Sequence, residues 1–136
     1  MVLFEEPYLK IEYKNVPCRH LVTTWIGLAR GKLFKEGILT ILKCCQENNI
    51  KKVLTDTRRR TWISVDDERY ATQTFREHMS RHGYFFQAVI VSSDVFLQFT
   101  EHNFDRTSFE TSMICQFFSS DKEAVSWLLE VDLHIS

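Results

Sequence analysis

The sequence of 136 residues has few of the residues that break or cross-link a chain: two prolines, four glycines and four cysteines. It contains no repeat, linker or low-complexity tract, so its length fits one domain spanning residues 1–136. A chain of this size buries about two thirds of its unfolded surface and needs no disulfide framework. Because no C-x-x-C pair occurs, we expect buried free thiols in a reducing compartment.

A strong charge of either sign and a long apolar run are also missing. The formal net charge is -1, which argues against nucleic-acid or anionic-membrane binding through bulk charge. The first residues, MVLFEEPYLK, lack the basic start and apolar stretch of a signal peptide. No stretch approaches the roughly 20 apolar residues that a membrane-spanning helix needs. We therefore expect a cytoplasmic protein without a membrane span.

The first half of the chain begins with two strands and continues with a helix and a strand. Residues 8–13 alternate apolar and polar side chains, a turn follows, and residues 20–27 are rich in β-branched and aromatic residues, which predicts an antiparallel hairpin. From Lys32 the apolar spacing becomes that of an amphipathic helix ending near residues 48–49. Residues 51–56, KKVLTD, predict a short buried strand.

The second half alternates helices and strands. The predicted elements are a helix over 64–83 with Ser64 as N-cap and Gly83 as stop, a central strand over 85–93, a helix from 93 ending between 103 and 112, a strand over 113–118 and a capped helix over 120–130. The order β-β-α-β-α-β-α-β-α predicts an α/β fold: a mixed, mostly parallel sheet of about five strands with an N-terminal β-hairpin and about four helices. Sites in such folds gather at the carboxyl ends of the strands.

Three segments resemble the STAS, or SpoIIAA-like (anti-anti-sigma-factor-like, STAS/SEC14-type), bacterial single-domain proteins. They are the hairpin before an amphipathic helix, the strand KKVLTD ending on Asp56 before a polar loop, and the tail QFFSSDKEAVSWL. The resemblance covers nearly the whole chain and implies a SpoIIAA-like fold. Characterised members bind a partner kinase and are phosphorylated on the serine of an Asp-Ser pair that opens the second helix. Here that helix opens with ISVDDERY, so the resemblance does not carry over a phosphorylated serine.

The densest positive cluster lies in VLTDTRRRTW, residues 53–62. If strand 51–56 is parallel and internal, the cluster opens beside the second helix, where guanidinium groups and free backbone N–H groups suit a phosphate or carboxylate. The candidate ligand or partner site comprises Asp56, Thr57, Arg58, Arg59, Arg60, Trp62 and Ser64. Trp62 has no apolar periodicity to explain it, and an exposed tryptophan beside arginine is typical of an interface. The alternative for Trp62 is that it folds back and covers the edge of the sheet. The alternative is a solvated loop whose arginines pair with Asp66, Asp67 and Glu68.

Motifs for catalysis, metals and cofactors are missing. Neither a G-x-S-x-G elbow nor a Gly-rich phosphate loop occurs. His78 and His82 stand at i, i+4, but their string is HMSRH rather than H-E-x-x-H. A polar group of Glu101, His102, Asp105 and Arg106 could line a cleft or form an exposed face. We therefore predict no catalytic residue, metal or cofactor.

Three hypotheses follow. The first is a non-enzymatic interaction domain that binds a protein partner or a small anionic or lipid-like ligand at the 56–64 loop. The second is a small-molecule carrier or enzyme with a pocket between the third helix and the sheet, using Asp56 and Arg58 as polar groups. The third is a structural homodimer.

Overall fold

The structure, a computed structural model, describes residues 1–61, 63–101, 107–110 and 113–131. In these ranges the chain forms seven strands and four helices. The elements in chain order are β1 (Val2–Glu6), β2 (Leu9–Lys14), β3 (His20–Gly27), α1 (Lys32–Asn48), β4 (Lys52–Arg60), α2 (Val65–His82), β5 (Phe85–Ile90), α3 (Ser93–Glu101), β6 (Thr107–Glu110), β7 (Met113–Phe118) and α4 (Asp121–Glu130).

One mixed sheet has the strand order β1-β2-β3-β4-β5-β7-β6. The four strands β3, β4, β5 and β7 are parallel neighbours, and antiparallel strands flank them on both sides. The predicted α/β class, the opening hairpin of β2 and β3 and the internal position of β5 are confirmed. The sheet has two strands more than predicted, β1 and β6. The segment of β1, VLFEE, does not alternate apolar and polar residues, so its sequence does not indicate a strand. Its pairing with β2 is interrupted between Val2 and Phe4.

Adjacent residues of β4 belong to different cores, because side chains alternate across a sheet. Val53 packs in a cluster with α1 and α2, whereas Leu54 packs with α4 on the opposite face. A third cluster joins Val89 and Val91 to Phe96 of α3. The sheet is therefore covered on both sides, as a largely parallel sheet requires.

Helix α1 lies close against β3 because Gly37 has no side chain. A Cβ atom at Gly37 would lie 2.6 Å from the ring of Trp25. That ring is 2% exposed, and its centroid is 5.0 Å from the ring of Phe34. The pair forms the aromatic centre of the α1 face.

The helix ends follow the predicted capping. The Ser64 hydroxyl accepts a hydrogen bond from the N–H of Asp67, and Gly83 ends α2 with a positive φ of 88°. The Ser120 hydroxyl accepts from the N–H of Glu123 at the start of α4. These contacts satisfy backbone groups that a helix terminus leaves without an internal partner.

One predicted boundary is wrong, and one is narrowed. The strand predicted over 51–56 continues to Arg60, so residues 56–60 are strand rather than loop. Helix α3 is described as far as Glu101, and residues 107–110 form a strand, which excludes a helix that extends to 112. Residues 102–106 lie outside the described part of the chain. Strand β4 continues past its apolar residues because its polar end still pairs with β3. Ile26 and Gly27 of β3 pair with Arg59 and Arg60.

Candidate ligand site

A cavity of about 580 Å³ lies between the sheet and the helices α1, α2 and α3. Its volume is in the range of small-molecule sites, about 300–1,000 Å³. The apolar part of its lining consists of Trp25, Phe34, Ile38, Ile41, Val53, Ile63, Ala71, Phe75, Val89, Val91, Val95 and Phe117. Eight of these twelve side chains are buried, and Val95 at one side is 37% exposed, so the cavity runs from the core to the surface.

Polar side chains of the cavity lie largely on β4 and on α2. Thr57, Arg58 and Arg60 contribute from the end of β4. Thr61 follows that strand, and Glu68 and Thr72 contribute from the first half of α2. Thr61 and Glu68 are exposed, which marks this end as the opening. The opening therefore lies at the carboxyl ends of the parallel strands, where ligands of open α/β sheets bind.

Arg59 and Arg60 lie on opposite faces of the sheet, and a β-bulge decides which of the two faces the cavity. Thr24 of β3 pairs with Asp56, but Ile26 pairs with Arg59, so β4 contains one residue more than β3 over this stretch. Arg59 lies with Lys10, Glu12, Thr24 and Ile26 on an open polar surface. Arg60 lines the cavity on the other face. The three consecutive arginines thus do not form a single cluster.

Arg60 is a half-buried cation beside apolar walls. Burial lowers the pKa of Arg60, and the charge of Glu68 partly offsets that effect. Its guanidinium donates no hydrogen bond to another residue of the described ranges. Since a desolvated charge is costly unless it is paired, Arg60 is well placed to bind an anion.

Arg58, in contrast, is already paired. Its Nε and Nη2 donate to the two carboxylate oxygens of Asp56 at 3.0 and 2.8 Å, and Nη2 also lies 2.8 Å from Asp121 Oδ1. Burial alone would raise the pKa of Asp56, but the hydrogen bonds and charge of Arg58 outweigh it and lower that pKa. The hydrogen bond to Asp56 is the main cause that raises the pKa of Arg58. Both residues therefore have a structural role.

The remaining predicted site residues have different environments. The Thr57 hydroxyl donates to the carbonyl oxygen of Ile90 at 2.9 Å and reaches the cavity lining. The Ser64 hydroxyl is used as the helix cap. Trp62 lies outside the described residues, so its proposed interface role stays a prediction.

The alternative prediction, in which the three arginines pair with Asp66, Asp67 and Glu68, is largely wrong. The carboxylate of Asp67 is buried and accepts from the backbone N–H of Gly31 at 3.1 Å, which links the start of α2 to the start of α1. Arg58 pairs with Asp56 and Asp121 instead. Of the three acids named in that alternative, Glu68 acts on an arginine of the run in the described part of the chain, through its charge on Arg60.

The other candidate groups do not assemble into a chemical site in the described ranges. The rings of His78 and His82 are 4.6 Å apart, and His82 Nε2 lies 3.1 Å from Gln46 Nε2, which donates to it. No group of three possible metal-ligating residues occurs among the described residues. The side chain of Glu101 and the residues His102, Asp105 and Arg106 are outside the described part of the structure.

Sequence reasoning overlooked Gln87. It lines the cavity from β5, and its Oε1 is buried without a hydrogen-bond partner among the described residues. The signal was present in FFQAVI, where one amide interrupts an apolar strand. An interruption of that kind is expected only where the polar group has a partner or a function.

No protein-family model matches the sequence, and no curated protein matches it. A solved structure from Shewanella loihica PV-4, an uncharacterised protein of the DUF3478 family with a SpoIIAA-like fold, matches with a TM-score of 0.61 and 13% identity, covering 92% of this chain and 97% of that one. The anti-sigma factor antagonist SpoIIAA in its unphosphorylated form matches with a TM-score of 0.50 and 12% identity, covering 85% of this chain and 94% of that one. The chain has a SpoIIAA-like fold.

The SpoIIAA-like fold agrees with the resemblance inferred from the hairpin, strand β4 and the C-terminal tail. Likeness at this level of identity concerns architecture, so function has to be argued from this chain's own residues. Among the described helices, none is both long enough and apolar enough to cross a membrane.

Proposed function

We propose that this domain is a non-enzymatic interaction domain that binds a small amphipathic acid. The acid group contacts Arg60 at the opening, and the apolar body occupies the cavity between the sheet and α1, α2 and α3. This combines two of the sequence hypotheses: a small anionic or lipid-like ligand near residues 56–64, and a pocket beside the third helix. The observation that carries the proposal is a half-buried guanidinium without a hydrogen-bond acceptor in the described ranges, at the mouth of an apolar cavity.

The chemistry of the lining supports binding rather than catalysis. The thiol in the cavity is that of Cys115, and burial raises its pKa to about 12, so little thiolate exists near neutral pH. The hydroxyl of Thr57 already donates to a backbone carbonyl. Of the two arginines that line the cavity, Arg58 is paired with Asp56 and Asp121, so an apolar cavity with Arg60 at its mouth provides hydrophobic contact along the ligand and orientation at one end.

Glu68 has a specific part in this proposal. Its carboxylate is exposed and close enough to Arg60 to raise the pKa of that arginine. A bound anion has to compete with it for the guanidinium. Removing the charge of Glu68 should therefore strengthen binding, whereas removing the charge of Arg60 should weaken it.

Calorimetric titration with dodecanoic acid, used below its micelle concentration, tests the proposal. Arg60→Gln should weaken binding about 10- to 100-fold, the range expected for a lost charge-assisted hydrogen bond. Arg59→Gln is the matched control, because the neighbouring arginine lies on the opposite face and should leave the affinity unchanged. Glu68→Gln should bind more tightly than the unmodified protein.

Dodecanol separates charge from hydrophobic contact. It should bind more weakly than dodecanoic acid to the unmodified protein and with similar affinity to Arg60→Gln. Equal effects of the Arg59 and Arg60 substitutions, or no binding of dodecanoic acid at about 1 mM, would contradict the proposal. Native mass spectra of the same samples also report whether the chain forms a homodimer.

A further inference from the structure

The charges around the cavity nearly cancel. In the described part of the chain, the charged residues of the lining are Arg58, Arg60 and Glu68. Arg58 is neutralised, since its guanidinium donates to both carboxylate oxygens of Asp56 and to the carboxylate of Asp121. Two positive charges thus stand against three negative ones when these bonded carboxylates are included. The guanidinium left to pair with an incoming acid is that of Arg60.

The start of α2, next to the opening, does not add a phosphate site. A helix N-terminus binds phosphate when its backbone N–H groups are free and its dipole is not already balanced by acids. In α2 the N–H of Asp67 donates to the Ser64 hydroxyl. The first turn also contains three acidic residues, Asp66, Asp67 and Glu68. The positive end of this helix is therefore already balanced by the chain itself.

Glu68 opposes a second negative charge on the ligand. It is exposed, lines the cavity and acts through its charge on Arg60. A carboxylate has a single negative charge, whereas a phosphate monoester has about −1.5 to −2 near pH 7. Repulsion from Glu68 increases with the charge of the acid, and so does the cost of removing that acid from water beside apolar walls. One guanidinium can bind both oxygens of a carboxylate but leaves part of a phosphate unpaired.

We infer that the cavity selects an acid with one negative charge, a carboxylic acid, over a phosphate monoester with the same apolar chain, and that Glu68 sets this selectivity. This inference rests on the proposed function. It decides between the phosphate and the carboxylate that the arginine run suits equally well as a sequence.

Calorimetric titration of the unmodified protein at about pH 7.5 compares three ligands with the same chain, each below its micelle concentration. Dodecanoic acid should bind about tenfold more tightly than dodecyl phosphate. Methyl dodecyl phosphate keeps the tetrahedral acid group but has one negative charge, so it should bind within about threefold of dodecanoic acid. This third ligand separates the charge of the acid group from its shape.

Glu68→Gln tests the residue that sets the selectivity. Without the carboxylate, dodecyl phosphate should gain about threefold more affinity than dodecanoic acid, which narrows the tenfold difference to about threefold. Glu77→Gln is the matched control, because Glu77 is an exposed acid on the same helix that does not line the cavity. It should leave the difference unchanged. Thermal unfolding shows whether both variants are folded.

Equal or tighter binding of dodecyl phosphate by the unmodified protein would overturn the inference and leave the proposed function in place. Methyl dodecyl phosphate that binds as weakly as dodecyl phosphate would also overturn it, since shape rather than charge would then be selected. An unchanged difference in Glu68→Gln, or an equal narrowing in Glu77→Gln, would overturn the role of Glu68. Binding of none of the three ligands would overturn both proposals. The comparison on the unmodified protein stands even if a variant does not fold.

Discussion

Arg58 donates to both carboxylate oxygens of Asp56, two residues before it on the same strand. The Asp56 carboxylate also accepts from the backbone N–H of Arg58 at 3.0 Å. The same guanidinium reaches Asp121 at the start of α4. The contact fixes the end of β4 at the bulge, which sets the face on which each following arginine lies.

Asp56→Ala should lower the free energy of unfolding by about 1–2 kcal/mol, because it removes three hydrogen bonds from a carboxylate whose side chain is 15% exposed. Asp121→Ala should cost less than about 0.5 kcal/mol, since that side chain is 65% exposed. Urea unfolding of both variants measures the difference. Equal losses would mean that the link to α4, rather than the pair within β4, stabilises this edge.

Gly37→Ala should destabilise the protein although alanine favours helix formation. The added methyl group would lie 2.6 Å from the buried Trp25 ring, and overpacking of that kind costs roughly 1–3 kcal/mol. Alanine recovers at most about 1 kcal/mol of helix propensity. Thermal unfolding should therefore show a net loss on the order of 1 kcal/mol.

Leu39→Ala is the control for Gly37→Ala, because Leu39 is on the same helix and 53% exposed. Its effect should stay within about 0.5 kcal/mol. A Gly37→Ala variant more stable than the unmodified protein would show that Trp25 moves at little cost.

Stability should fall as the pH is lowered from about 7.5 to about 5.5, through the ordinary pKa of histidine. Burial is the main cause that lowers the pKa of His20. The charges of Lys14 and Lys52 lower it further, and the hydrogen bond to the Cys18 carbonyl opposes this by raising it. Burial also lowers the pKa of His78, helped by the charge of His82. The unfolded chain then binds more protons than the folded one in this window, so protons favour unfolding.

His20→Asn tests this pH dependence, because the amide can replace the ring nitrogen that contacts the Cys18 carbonyl at 2.8 Å. Urea unfolding at both pH values should show a smaller decrease for the variant than for the unmodified protein. An unchanged decrease would assign the effect to groups other than His20.

The four cysteines are free and should differ in reactivity. Burial raises the pKa of Cys45 and of Cys115 to about 12, so their thiolate forms are scarce. Alkylation by iodoacetamide at about pH 8, followed by peptide mass spectrometry, should modify the half-buried Cys18 and Cys44 first. Labelling of Cys115 at the rate of Cys44 would indicate that the cavity opens to solvent far more than its lining suggests.

The sequence was sufficient for the parts of this protein that depend on neighbours along the chain. Apolar spacing predicted α1 from Lys32 and the hairpin of β2 and β3, and side-chain chemistry predicted the caps Ser64 and Ser120. These features arise from contacts within a few residues, so one sequence contains the information for them.

Tertiary structure decided where the arginines point and what lies beside them. Side chains alternate with a period of two, so one extra residue in β4 changes the face on which every following residue lies. That bulge arises from pairing with β3, and it places Arg60 in the cavity and Arg59 on the opposite face. The cavity itself is the space left between helices and sheet, which depends on packing between residues distant along the chain.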